Sequence, residues 1–288
     1  MKNLVGIGLD FHDNGRQSLA AFYELVLPKI SHASIVGLQS VEEATRFIDL
    51  IHGLPTIHHL SNVGPANPSG IQWRNLATQD LISKKINAIW CNEDIGAWNI
   101  GPYNIPYFTP PLFEADVSDF VAQNIRELQA RCSVPFLAEL PSCSYVAGRL
   151  TLGEFFCRIV AESQCKLLLD VPHLYSYALF TGARPTDVLN SLPHAAVAHL
   201  HMAGGRTLST EKWCYVDSHD ELIMPQVLDL LGEVLAACPN VEAITYEVGP
   251  AIRDADVLRE LDRLNIYIDN VRFNPSLVRS RVGSAFVR

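Results

Sequence analysis

Ten acidic and imidazole side chains in this 288-residue chain fall at or just beyond the ends of short aliphatic runs. They are His58, Glu93, Asp94, Glu139, Asp170, His173, His201, Asp217, His219 and Glu247. Carboxylates collected in this way repel one another and move upward in pKa if nothing neutralises them. A cluster of divalent cations resolves that conflict. Imidazole with carboxylate suits iron, zinc or manganese. The seven cysteines, at 91, 132, 143, 157, 165, 214 and 238, form no Cys-x-x-Cys pair, so neither a zinc ribbon nor a thioredoxin motif is indicated. Without Glu93, nine candidate ligands remain, enough for two or three ions, and Glu139 is the best-placed bridge. His58 and His59 are adjacent, so a strand turns them to opposite faces; the register adopted here points His58 inward. His199 shares a face with His201 as an interior histidine, and His12, His32, His52 and His194 read as structural or surface residues.

Eight strands are predicted to carry these groups, at 4–9, 33–37, 56–60, 86–91, 134–139, 166–170, 196–201 and 243–247. Helical patterns alternate with them at 16–27, 41–52, 71–83, 116–131, 151–164, 184–191, 222–237 and 254–265. Val227, Leu228, Leu230, Leu231, Val234 and Leu235 show the spacing of a buried helix face. This rhythm predicts an α/β fold, a (β/α)8 TIM barrel, whose active sites lie at the C-terminal ends of the strands. A doubly wound open sheet competes less well, because no Gly-x-Gly-x-x-Gly follows the first strand. One domain over residues 1–270 is expected, followed by a mobile basic tail at 271–288 with some prospect of meeting an acidic partner. The aromatic, proline-rich stretch 95–115 is a candidate cover for the site.

Hydrophobic residues at 48% and charged residues at 18% support a sizeable core and exclude general disorder. The net charge of −9 argues against a general nucleic-acid binder. No apolar run approaches the roughly 18 residues of a membrane span, and the start lacks the apolar region of a signal peptide. No membrane association, a cytoplasmic location and reduced thiols are expected.

The segments Ile57-His58-His59-Leu60-Ser61, Asn92-Glu93-Asp94, Glu139-Leu140-Pro141-Ser142 and Leu169-Asp170-Val171-Pro172-His173 belong to one ordered series. It continues with His201-Met202-Ala203-Gly204, Asp217-Ser218-His219-Asp220 and Thr245-Tyr246-Glu247. From about residue 5 to 270 the series resembles the DUF692 family, which includes the multinuclear non-haem iron enzymes of the MbnB and TglH type. The resemblance implies a barrel of the xylose-isomerase-like kind with two or three irons, mixed Fe(II)/Fe(III), and O2 as co-substrate. Carried over by position, one iron takes His58, Asp94 and Glu139. A second shares Glu139 and takes Asp170, His201 and Glu247, and a third takes His173, Asp217 and His219. Family members often have histidine where this chain has Asp94, so that site is harder and more anionic here.

The resemblance further implies oxidation of a cysteine, or a residue made from one, in a ribosomally made precursor peptide. β-Carbon excision or a related thiol oxidation is favoured over oxazolone and thioamide formation. A small leader-binding partner protein, forming a heterodimer, is implied as well. Three residues are candidates for further catalytic roles. Asp220 could orient the His219 ring, Glu93 could orient a ligand or move protons, and Arg206 could meet a peptide carboxylate. The alternatives are a di- or trinuclear hydrolase of the endonuclease IV kind, a sugar isomerase, and a non-catalytic metal-binding protein. The acidic charge weakens the first, and no catalytic lysine at a strand end favours the second.

Overall fold

A computed structural model describes residues 6–12, 18–143, 145–211 and 213–273. In its first half, β1 (Ile7–Phe11), α1 (Leu19–Val26), β2 (Ala33–Val36), α2 (Val41–Leu50), β3 (Thr56–His59), α3 (Trp73–Lys85) and β4 (Cys91–Asp94) alternate. A hairpin follows, β5 (Ala97–Ile100) and β6 (Tyr103–Thr109), then α4 (Ala115–Gln129), β7 (Phe136–Glu139), α5 (Leu152–Ser163) and β8 (Lys166–Asp170). The second half holds α6 (Val171–Thr181), α7 (Pro185–Asn190), β9 (Val197–Ala203), β10 (Arg206–Thr207), β11 (Tyr215–Val216), α8 (Pro225–Ala237), β12 (Ala243–Glu247) and α9 (Asp254–Phe273).

Eight parallel strands close into a barrel in the order β1-β12-β9-β8-β7-β4-β3-β2, as the alternating rhythm predicts. Two apolar layers hold it. The larger lies between strands and helices and includes Phe22, Phe47, Val121, Phe155, Phe156, Leu231 and Leu261. The smaller fills the lower barrel interior with Ile57, Trp90, Leu137, Leu168, Ala198 and Ala243. Side chains two apart on a strand share a face. Ile57 therefore places His59 inward, Leu137 places Glu139, Leu168 places Asp170, and Ala243 places Glu247.

A polar chain crosses the barrel floor beneath the site. Trp90 Nε1 donates to His199 Nδ1 at 3.4 Å, which leaves His199 Nε2 to donate to Thr245 Oγ1 at 2.8 Å. The Thr245 hydroxyl can then donate to His32 Nε2 (3.1 Å), and His32 Nδ1 to Ser31 Oγ (3.2 Å), which donates to the Ile7 carbonyl. Both imidazoles are neutral in this chain. Burial, with the His201 charge adding, depresses His32 to about 3 and His199 well below its ordinary value. Gly8 makes room, since a Cβ there would lie 2.1 Å from His32 Nε2. Thr245→Val leaves two buried histidine nitrogens unpaired and is expected to cost about 2 kcal/mol, readable as a lower midpoint in urea unfolding at unchanged slope.

The structure revises several predicted elements. The fourth strand begins at Cys91, where the predicted one ended, because Ile86, Ala88 and Trp90 pack in the turn before it. Within the stretch 95–115, residues 97–109 form a hairpin. Helix α6, absent from the predicted set, starts directly after β8. The predicted basic tail falls almost wholly at 274–288, outside the described residues; α9 runs through its first three positions, to Phe273. Among the described residues no helix is long and apolar enough to cross a membrane, and the seven cysteines are unpaired thiols.

Candidate metal centre

Four imidazoles and five carboxylates converge inside the barrel mouth. His59 Nδ1 donates to the Leu60 carbonyl at 3.0 Å, so its Nε2 faces Glu139 Oε2 at 3.1 Å and Asp94 Oδ2 at 3.9 Å. His173 repeats the design, with Nδ1 donating to the Leu140 carbonyl (2.7 Å) and Nε2 lying 3.0 Å from Asp217 Oδ2. His201 Nδ1 sits between Glu139 Oε1 (3.0 Å) and Glu247 Oε1 (3.1 Å). His219 Nε2 lies 3.3 Å from Asp217 Oδ2 and 3.7 Å from Glu247 Oε2. A carbonyl that holds one ring nitrogen fixes the other toward a ligand, the arrangement common around protein-bound metals.

Local structure explains why these groups meet. Asp170 ends β8 and caps α6: Oδ1 accepts from the His173 amide at 2.6 Å, while the buried Oδ2 has no hydrogen-bond partner. The cap sets His173 one turn into the helix, beside its own capping carboxylate. His219 adopts a left-handed φ of 59°. Its amide donates to Gly204 and its carbonyl accepts from Gly249, which ties two loops together under the ring. Asn92, two residues before Asp94 on the same face, donates to Glu139 Oε2 at 3.0 Å and holds that carboxylate in place.

Charge is the dominant feature. Burial alone would depress His59, but Glu139 and Asp94 outweigh it and hold the ring at about 10. His219 is likewise raised to about 10, burial being overcome by Asp217 and Glu247. Burial, reinforced by Asp217 and Glu247, lifts Asp170 to about 7. Burial and Glu139 drive Asp94 well above the usual carboxylate range. Glu247, despite burial, is held down at about 2 by His201 and His219. Asp94 Oδ1, Asp170 Oδ2, Asp217 Oδ1 and both His201 nitrogens are buried without a hydrogen bond of good geometry. Buried polar atoms are ordinarily satisfied, and bare carboxylate oxygens facing bare imidazole nitrogens are the donor set that divalent cations satisfy. Among the described residues four groups have the necessary spacing: His59, Glu139 and His201; Asp94, Glu139 and His173; Asp170, His173 and Asp217; and Asp170, His201 and Glu247.

The expected residues map onto this centre with corrections. Asp94, Glu139, Asp170, His173, His201, Asp217, His219 and Glu247 all reach it. His58 does not. It turns outward, its Nδ1 bonded to Ser83 Oγ on α3 at 2.7 Å, and burial lowers it to about 3. Its inward place is taken by His59. Glu93 also faces outward: Oε1 accepts from the Val63 amide (2.7 Å) and Oε2 from that of Gly64 (2.8 Å). Burial raises it to about 7, and its position makes it an anchor of the β3–α3 loop instead of a proton carrier at the mouth. That loop in turn holds the hairpin, since Asn67 Oδ1 accepts from the amides of Trp98 and Asn99. Asp220 accepts from the Ala251 amide and does not contact the His219 ring; it braces the turn that carries it. Arg206 is engaged by Glu221 at 2.7 Å on the exposed strand β10.

A cavity of about 600 Å3 opens above the centre. His59, Asp94, Glu139, His173, His219 and Glu247 line its floor, and Trp98 and Phe108 of the hairpin form one wall, so the aromatic stretch does border the site. Asp10, at the end of β1, was missed. It lines the cavity, its Oδ1 is unpartnered, and burial with Glu247 raises it to about 6. The predicted first strand stopped at residue 9, one short of it.

The model of a family described as "RiPP precursor modification enzyme MbnB/TglH/ChrH" matches residues 34–268. A UPF0276 protein of Rhizorhabdus wittichii is 28% identical over 246 residues, covering 82% of this chain and 84% of that protein. A UPF0276 protein of Rhizobium meliloti is 30% identical over 200 residues, covering 67% and 63%. Among solved structures, a xylose isomerase domain containing protein from Salmonella typhimurium superposes with a TM-score of 0.61 at 13% identity, covering 92% of this chain and 98% of that one. The IolI protein with a binding zinc atom gives 0.62 at 11% identity, covering 93% and 99%. These likenesses establish a xylose-isomerase-like TIM barrel.

Proposed function

Because the chain belongs to the family of RiPP precursor modification enzymes of the MbnB, TglH and ChrH type, we propose that it is a multinuclear non-haem iron oxidase acting, with O2, on a cysteine or cysteine-derived residue of a ribosomally made peptide. The observation that supports this most is the donor set: three buried imidazoles and the half-buried His219, each with a nitrogen turned onto carboxylates, beneath an open cavity. His59 and Glu139 would hold one ion and Asp170, His201 and Glu247 another, with Asp94, His173, Asp217 and His219 completing the cluster. Bound iron would supply one-electron redox chemistry and a position for the substrate thiolate. The protein's own contribution is geometric. Leu60 and Leu140 carbonyls fix two rings, Asn92 steadies the bridging Glu139, and Trp98 and Phe108 screen one side of the cavity from water. β-Carbon excision or a related thiol oxidation remains the proposed outcome, with a precursor peptide as substrate and a small leader-binding protein as partner.

Metal analysis and Mössbauer spectra on protein purified without oxygen test this reading. Two or three irons per chain, with spectra that change on adding a cysteine peptide, are the expected result. Zinc or manganese without iron, and indifference to thiol, would turn attention to metal-assisted hydrolysis or isomerisation.

A further inference from the structure

The cavity continues past the metal centre, over the top of β2, to helix α2. There its wall is mostly apolar, made by Leu19, Val36, Leu38, Phe47 and Leu50, with Gln39 and Glu43 beside them. Arg46 stands at the rim of this wall as the sole guanidinium or ammonium group among the described lining residues. It is exposed, and no ion pair forms to it among the described residues, although Glu42, Glu43 and Asp49 share its helix. The carboxylate one turn back is already committed. Ser40 caps α2 by accepting from the Glu43 amide, and Glu43 Oε2 accepts in return from the Gln39 amide at 2.7 Å. That reciprocal cap occupies the carboxylate at i−3, and the i−4 carboxylate, Glu42, forms no ion pair with Arg46 among the described residues. A guanidinium left free beside an apolar recess has the layout of a clamp for a carboxylate attached to an apolar group.

We propose that Arg46 and the apolar wall beside it recognise a carboxylate and a neighbouring apolar side chain of the peptide substrate, held next to the residue at the metal centre. This rests on the reading of the substrate as a cysteine peptide and makes it more specific. The role expected of Arg206 thus passes to Arg46: Arg206 is paired with Glu221 and is absent from the cavity lining. The carboxylate has two chemical sources, a free chain terminus or an acidic side chain.

Binding of short synthetic probes to the metal-loaded full chain separates these cases. N-acetyl-Cys-Leu as the free acid is compared with its amide, with N-acetyl-Cys-Asp amide and with N-acetyl-Cys-Ser acid. The free acid should bind wild type about fivefold more tightly than the amide, the scale of an exposed but well-formed ion pair. That preference should vanish in Arg46→Gln, persist in part in Arg46→Lys, and invert in Arg46→Glu. Leucine should outbind serine in every variant. A stronger response to the aspartyl amide than to the Leu amide assigns the clamp to acidic side chains; the free acid alone assigns it to the chain terminus. Equal binding of acid and amide by wild type, or a preference that survives Arg46→Gln, overturns the inference while leaving the cysteine-peptide reading intact. Failure of every probe to bind or to disturb the metal spectra overturns both. Arg46 is exposed, so its variants should fold, and the probe series on wild type needs no variant at all.

Discussion

His59→Ala is expected to strip metal from the protein, with affinity at its site falling by more than about 100-fold, whereas His58→Ala keeps the full metal complement. The contrast follows from strand parity. His59 Nε2 is 3.1 Å from Glu139 Oε2, with its other nitrogen fixed by a carbonyl. Even residues that only orient a ligand change metal affinity about 10- to 100-fold, so loss of a direct donor beside two carboxylates should exceed that. His58 is instead part of the layer between barrel and helices, bonded to Ser83. Its removal should cost about 1–3 kcal/mol of stability through a lost buried hydrogen bond and a cavity. Metal content per chain, measured alongside urea unfolding of both variants, reads the two effects separately. Metal loss in His58→Ala with retention in His59→Ala would reverse the register of β3.

Metal uptake at pH 7.5 should release at least two protons per chain. In the metal-free protein His59 and His219 are both raised to about 10, so both carry protons at that pH. A metal-bound imidazole must give its proton up. Calorimetric titration in buffers of different ionisation enthalpy counts the released protons, and a count near zero would contradict the charge arrangement described above. The same shifts set the stability of the metal-free form. A histidine whose folded pKa lies above its unfolded value of about 6.5 stabilises fully below that value. This contribution is lost as pH rises through about 10. Glu247 works in the opposite sense: held at about 2, it stabilises above the usual carboxylate range and loses that contribution as pH falls toward 2. The melting temperature of the metal-free chain should therefore fall between pH 7 and 10, while the loaded chain, whose imidazoles are neutral ligands, should change less over that window.

The elements differ in how well their sequences reveal them. Strands β8 and β12 are legible to the residue, because short, mostly apolar runs lead directly to Asp170 and Glu247. Strand β4 is not, since three of its four residues, Asn92, Glu93 and Asp94, are polar, two of them facing the site, and the apolar run lies in the turn before it. Local pattern fails where function has displaced it. Helix α6 is hidden for a related reason. It is buried nearly all round through Leu174, Tyr175, Ser176, Tyr177 and Ala178, so it has no amphipathic period. Its start was nevertheless marked by Asp170 at the cap and Pro172 in the first turn.

The sequence by itself determines the barrel and most of its donor inventory, because strand and helix periods are local and most of the ligand types sit at or just beyond strand ends whatever the packing. Tertiary structure alone decides which donors share an ion. Adjacent histidines at 58 and 59 are equivalent to any local rule. Ile57 packing against Trp90, Leu137 and Leu168, with Ser83 waiting on α3, breaks that equivalence. In the same way Glu93 and Asp94 are neighbours in the chain but face opposite layers, and Arg46 and Arg206 are distinguished by the Glu221 carboxylate that pairs Arg206 and by the cavity, which only Arg46 of the two lines. Side-chain direction and the pairing of charges depend on contacts between residues far apart in sequence, and those exist only once the barrel has closed.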